Sequence, residues 1–292
     1  MANARIIVKR RKTVRNIRKI TRTMQLIATA RFQAAFNRAV ASKPYTERLA
    51  ELVADLTGVA DGAEHPLMKT ESTATRSALV GLTSHRGLCG GYNASLLRTA
   101  VAHLKDQEES GTDCDVYMSG KKGIGYLRFL GREMRQEITH IGDAPKFSDV
   151  DPIANELMDR FVRGEISAAH VVYMRFVSAG KQVPTVIQLL PLTREKSDDA
   201  SNGKQGNVQY EFSPNPKELL EELLPATVRV RLFQCFTDAA ASEQIARMVA
   251  MKAATEAAGD MITALTRKYN RARQTQITLE LLDIVGGANA LE

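Results

Sequence analysis

The sequence predicts an α/β plus α protein: a long antiparallel two-helix coiled coil from the N- and C-terminal segments, with a mainly parallel α/β domain inserted between them. Three observations carry this. From Ala226 to Val285 there is no proline and a single glycine, Gly259, and apolar or small side chains (Ile245, Met248, Val249, Ala253, Ala257, Met261, Leu265, Tyr269) recur at helical spacing. A helix of that length would reach on the order of 90 Å at about 1.5 Å per residue, too long to pack inside its own chain. It needs a partner helix. The N-terminal arm offers one, because Val14, Ile17, Ile20, Met24 and Ile27 step by three, three, four and three before the stripe turns small through Ala28, Ala30, Ala34, Ala35 and Ala39. Between the two, strand-like and helix-like segments alternate, the pattern of a sheet with helices on its faces.

The N-terminal helix is assigned to residues 1–57. Arg11, Lys12, Arg15, Arg18, Lys19 and Arg22 fill the faces outside the apolar seam, which makes the helix amphipathic with a narrow stripe, as in a two-stranded coil. Pro44 interrupts it briefly at most. Leu49, Leu52, Val53 and Leu56 continue the stripe, and Thr57-Gly58 supplies a stop. Residues 58–75, with Gly, Asp, Glu and His65-Pro66, read as a linker. The α/β domain spans 76–193. Its strands are expected at 77–83, 115–119, 134–141, 168–177 and 183–190, and its helices at 93–107, 121–130 and 151–163, with a turn at Ser178-Ala179-Gly180 joining the last two strands. This strand and helix order is Rossmann-like. Residues 194–215, beginning with the polar, aperiodic run Arg194 to Asn207, read as a mobile loop. The second coil helix occupies 216–292, with Leu219, Leu220, Leu223 and Leu224 before Pro225, which is expected to restart the helix because proline is tolerated in a first turn and not in an interior.

Composition bounds the function. The chain of 292 residues is 44% hydrophobic and only 5% aromatic, with no tryptophan, which suits helix packing. No apolar run approaches the roughly 18 residues needed to cross a bilayer. Cys89, Cys114 and Cys235 lie far apart with no CxxC pair, which argues against a disulfide framework or zinc site and for a reducing compartment. The net charge of +7 belongs to one arm: residues 1–46 hold twelve Lys/Arg and no Asp/Glu, leaving the rest of the chain with 28 basic and 33 acidic residues, a net of −5. Such an arm could track nucleic acid, a second reading of the chain, or serve as a targeting segment. Neither explains a matching long helix at the other end. A solvated face complementary to an acidic protein partner explains both.

Candidate chemistry is thin. Arg86-Gly87-Leu88-Cys89-Gly90-Gly91 follows a strand and precedes a helix, where glycine-rich turns often cradle phosphates. It is not a GxGxxG fingerprint, and no P-loop motif exists in the chain. A tight turn allowing close packing accounts for it better. Cys89 as a nucleophile would want a histidine; His85 is near in sequence, yet no third group is evident. Gly120-Lys121-Lys122-Gly123 also follows a strand, its lysines reading as solvated. The five histidines show no ligand spacing. No catalytic residue, metal site or cofactor is expected.

Several motifs together resemble the gamma subunit of the F-type ATP synthase: Lys19-Ile20-Thr21-Arg22-Thr23-Met24, Ala28-Thr29-Ala30-Arg31, Arg86 to Gly91, Gln182-Val183-Pro184-Thr185, Ser242-Glu243 and Ala246 to Thr255, then Tyr269-Asn270, Ala272-Arg273-Gln274, Ile277-Thr278, Glu280-Leu281 and Ile284 to Ala288. The resemblance runs end to end. It implies a rotor shaft present in one copy, with its coil inside a hexamer of alternating alpha and beta subunits and its foot on the epsilon subunit and the membrane ring of c subunits, at the cytoplasmic face of a bacterial inner membrane. Nucleotide sites would belong to alpha and beta. The positions that match shaft contacts to the ring are Lys19, Arg22, Met24, Arg31, Arg247, Arg273, Gln274, Thr278 and Glu280. Those matching foot contacts are Arg86, Gly87, Leu88, Cys89, Gly90, Gly91 and Phe212. The loop Arg194 to Asn207 has no cysteine, so the thiol regulation of chloroplast relatives is not implied.

Overall fold

The computed structural model describes residues 2–59, 65–69, 74–192 and 216–289. The elements run α1 (Ala2–Val59), a 3-10 turn (Pro66–Met68), β1 (Arg76–Leu82), α2 (Tyr92–Glu109), β2 (Asp113–Ser119), α3 (Lys121–Phe129), β3 (Gln136–Ile138), α4 (Phe147–Val162), β4 (Ala168–Ser178), β5 (Lys181–Leu190) and α5 (Pro216–Asn289). The chain divides into two units, residues 31–246 and residues 1–30 with 247–292.

In the first unit the five strands take the order β3-β2-β1-β4-β5, parallel except for the β4–β5 hairpin. The order reverses at β1, as in doubly wound sheets. Both faces are covered, as parallel sheets require. Ala78, Val80, Tyr117, Val171 and Tyr173 face a core completed by Val150, Ile153, Leu157 and Phe161 of α4 and by Leu220, Leu224, Val228 and Leu232 of α5. Leu79, Val116, Met118, Val172 and Met174 face the other way, onto Tyr92, Leu96, Ala100 and Leu104 of α2 and Ile124 and Leu127 of α3. Side chains two apart share a face and successive ones alternate, so β1, β2 and β4 feed both cores.

One proline behaves differently from expectation. Pro225 does not restart a helix but lies inside α5, as Pro44 does inside α1 and Pro152 inside α4, which begins at Phe147. An interior proline forfeits a hydrogen bond and costs about 3 kcal/mol. Here the apolar stripe continues through it, since Leu220 and Leu224 before Pro225 and Val228 and Leu232 after it are all buried on one core. Tertiary packing therefore holds the helix together. The segment around His65 is more than a spacer: Leu67 is buried in the core, its N–H bonded to His65 Nδ1 at 3.1 Å and its carbonyl to Leu192 N at 2.9 Å. The expected loop 194–215, Phe212 included, lies outside the described residues, as do most of the remaining linker positions.

In the second unit the two long helices meet antiparallel. Arg11 stacks over the Tyr269 ring at 5.1 Å, Val14 packs with Leu265 and Ala258, Arg18 lies by Gly259, and Thr255 donates to Thr21 at 2.8 Å. As the numbers rise on α1, they fall on α5. The seam differs from the expected one. Along α5 Met248, Met251, Thr255, Ala258, Ile262, Leu265, Tyr269, Ala272 and Gln276 are buried or half-buried and alternate in steps of three and four residues, with Ala250, Ala254, Gly259 and Thr266 half-buried beside them. Along α1 Ile7, Val14, Thr21, Ala28 and Ala35 fall every seventh residue. Ile17, Ile20, Ile27, Val249 and Met261 stand exposed. A two-stranded coil keeps facing its partner with a period of 3.5 residues. The isoleucine stripe follows a neighbouring line, and the true seam is filled by smaller and partly polar side chains.

Candidate interaction surfaces

The glycine-rich turns after β1 and after β2 are packed corners. Gly120 has φ 96°, and a Cβ there would lie 2.1 Å from the Thr83 carbonyl oxygen; one at Gly123 would lie 2.5 Å from Thr83 Oγ1. Thr83 Oγ1 donates to Ser119 O at 2.7 Å and accepts from Gly123 N at 2.9 Å. The space that a phosphate would need at the second strand-to-helix turn is thus filled by Thr83. At the first, Asn93 Oδ1 accepts from Ser84 N at 3.1 Å, and its Nδ2 donates to Ser84 Oγ at 2.8 Å and to the buried Cys89 Sγ at 3.2 Å. His85 Nε2 is engaged with Ile141 O at 2.6 Å, so Cys89 has Asn93 beside it and His85 turned elsewhere. Burial raises the pKa of the Cys114 thiol to about 11 and raises that of Cys235 as well. Among the described residues no group of three or more His, Cys, Asp or Glu is placed to hold a metal ion.

The turn after β1 presents its tip to solvent. Leu88 is 60% exposed with φ 64°, a left-handed conformation that costs an L-residue with a Cβ on the order of 1–2 kcal/mol. Gly90 takes φ 59° beside it. Arg86, Gly87, Leu88, Gly90 and Gly91 thus form one outward corner around the buried Cys89, with Gly87 next to Lys122 of α3.

The coil positions separate into groups. Lys19 and Arg22 are exposed one turn apart on α1, Arg22 bonding to Gln25 Oε1 at 3.3 Å, and Met24 is half-buried. Arg31 is ion-paired with Asp143 of its own chain. Arg247 is 7% exposed. Arg273, Gln274, Thr278 and Glu280 are exposed near the end of α5, where Thr278 Oγ1 bonds Gln274 O at 3.0 Å and Gln276 bonds Glu280 at 2.8 Å. Around them Ile277, Leu279, Leu281, Leu282, Ile284 and Val285 are 49–68% exposed on every side of the helix. Sequence reasoning missed this ring of apolar groups because it sought one stripe. It also missed the Arg160 cluster, in which a buried guanidinium serves Asp115, Glu165 (3.0 Å) and Tyr117 (2.9 Å). Burial opposes the charge of Arg160, but these bonds outweigh it and raise its pKa.

Comparison with known proteins defines the class. A family model described as ATP synthase matches residues 3–291. Within that class, the ATP synthase gamma chain of Rhodopirellula baltica is 48% identical over 295 residues, and that of Leptospira biflexa serovar Patoc 38% over 292 residues, each alignment covering 100% of both chains. The chain belongs to the ATP synthase gamma chain family. Its fold is also that of a chain in the Euglena gracilis mitochondrial ATP synthase OSCP/F1/c-ring structure, with TM-score 0.66, 19% identity and coverage of 99% of this chain and 95% of that one. An end-to-end match of this kind leaves the nucleic-acid reading without support.

Proposed function

We propose that this chain is the central shaft of a proton-translocating rotary ATP synthase, coupling rotation of a membrane c ring to ATP synthesis or hydrolysis in a surrounding ring of alpha and beta subunits. It contributes no catalytic site of its own. The observation that carries this reading is the end of α5, where six large apolar side chains stand exposed on all sides of one helix. Such a surface is stable in water only when another protein encloses it. Ile17, Ile20 and Ile27 add an apolar strip on α1, bordered by the cations Lys19 and Arg22, and a basic rim of this kind fits an acidic partner segment.

In this reading Lys19, Arg22 and Met24, with Arg273, Gln274, Thr278 and Glu280, touch the ring. Arg31, which is also ion-paired to Asp143, and Arg247 complete that set. The corner Arg86 to Gly91 bears on epsilon and the c ring, its strained tip at Leu88 held ready for contact. A coil whose faces differ presents a different surface to each of three catalytic pairs. To drive one site from 1:99 to 99:1 between two states, the difference in contact energy must reach about 5.5 kcal/mol, and a shaft acts only through such differences. No described helix is long and apolar enough to cross a membrane; attachment to the cytoplasmic face of a bacterial inner membrane would run through the complex.

The test is reconstitution. Inverted vesicles whose complex lacks this chain should regain ATP-driven proton pumping when the chain is restored. Restored hydrolysis with no pumping at all would refute the shaft.

A further inference from the structure

The motif Gln182-Val183-Pro184-Thr185 finds no use in the function above, and the hairpin that carries it grips both long helices. β1 pairs with β4 only as far as Val172. Beyond that point, residues 173–178 project from the parallel sheet, paired to β5 alone. On this projection Met174 O accepts a hydrogen bond from Ser242 Oγ of α5 at 3.0 Å, in the interior. Two residues on, the Phe176 ring packs against Phe32 and Phe36 of α1 at 5.9 and 5.6 Å, and those two rings lie 5.7 Å from each other. Arg31, next to Phe32, is ion-paired to Asp143 in the loop after β3, the strand at the opposite edge of the sheet.

The motif fixes this projection. Gln182, the cross-strand partner of Phe176, donates through Nε2 to Ser178 O at 2.9 Å and to Ala179 O at 3.1 Å, which ties the turn shut. Pro184 faces Met174 from the edge strand, the place in a sheet where a missing N–H does least harm. Thr185 Oγ1 bonds Val183 O at 3.1 Å.

We propose that the β4–β5 hairpin is a torque joint of the molecule, a grip on both long helices added to that of the main core, with Phe176 and Ser242 as its positioning residues. The proposal rests on the shaft reading. The main core holds the helices through Leu56 of α1 and residues from Leu220 to Ala239 of α5, and the hairpin holds them again at Phe32, Phe36 and Ser242, nearer in the chain to the paired segments. Contacts to both helices from residues two apart on one strand divide the load between them.

The experiment uses complete complexes in inverted vesicles and reads the steady proton gradient at saturating ATP. Phe176→Leu should keep the wild-type hydrolysis rate and pump normally at first, yet settle at a gradient well below wild type, because a weakened joint slips only as the opposing load grows. Phe176→Tyr, which keeps the ring, should reach the wild-type gradient. A residue that merely aids folding would instead lower hydrolysis and pumping together at every load. A full gradient with Phe176→Leu overturns the joint. Where that variant does not assemble, Ser242→Ala decides by the same readout, a reduced gradient supporting the joint and a full one overturning it. If the wild-type chain itself sustains no gradient, the shaft reading has failed, an outcome distinct from failure of the joint.

Discussion

Gly259 sits in the middle of α5, where a glycine costs about 1 kcal/mol relative to alanine. Its chain position invites the idea of a close helix approach or a bend, but an added Cβ would meet only the flexible end of Arg18 at 3.9 Å. Gly259→Ala should therefore raise stability by about 0.4–1 kcal/mol with coupling unchanged; calorimetry of the isolated chain measures the first and proton pumping the second. His170 gives a pH prediction. It faces His103 edge to face at 4.6 Å, and His103 Nε2 and His170 Nδ1 are buried without a hydrogen-bond partner. Burial and then the neighbouring His103 lower the pKa of His170 from 6.5 to about 4. Burial also lowers that of His103, against a raising effect of Asp106. A depressed folded-state pKa means that the unfolded chain takes up the proton first, so stability is full above about pH 6.5 and falls as pH drops toward 4. His170→Leu should flatten that loss in acid unfolding curves, and an unchanged slope would remove His170 from the account.

At the scale of elements, the coil seam is the sharpest case. Leu265 is buried against Val14 and Ala258, and Leu265→Asp would place an unpaired carboxylate there, at a cost of about 3 kcal/mol or more. Lower thermal stability together with reduced pumping per ATP is expected; an unaltered melting curve would contradict the seam. Leu265 was legible in the sequence because it lies on both the expected stripe and the real one. Val249 and Met261 were misread because tracking large apolar side chains in steps of four drifts off a seven-residue repeat, and here the repeat is marked by Thr21, Ala28, Thr255 and Ala258, which carry little hydrophobic signal. The strand and helix order was readable, since Gly and Ser/Asp clusters bound each element and the apolar runs have the right lengths. Pro225 misled in the opposite way, a strong local breaker overruled by burial on either side. Phe176, Phe32 and Phe36 come from segments far apart in the chain, so nothing local could have joined them.

At the scale of the molecule, two helices of 58 and 74 residues bracket a doubly wound domain in the chain. In the proposed reading, the apolar end of α5 and the isoleucine strip on α1 face an enclosing ring, and the turn at Leu88 serves the foot. The central claim is that the chain rotates within that ring as ATP is consumed. It is tested most directly by immobilising the alpha and beta subunits of the reconstituted complex, attaching a visible bead to the α/β body through a cysteine placed at the exposed Phe129, and adding ATP. The account predicts unidirectional rotation of the bead that stops when ATP is exhausted. Sustained ATP hydrolysis in complexes whose beads stay still would contradict it.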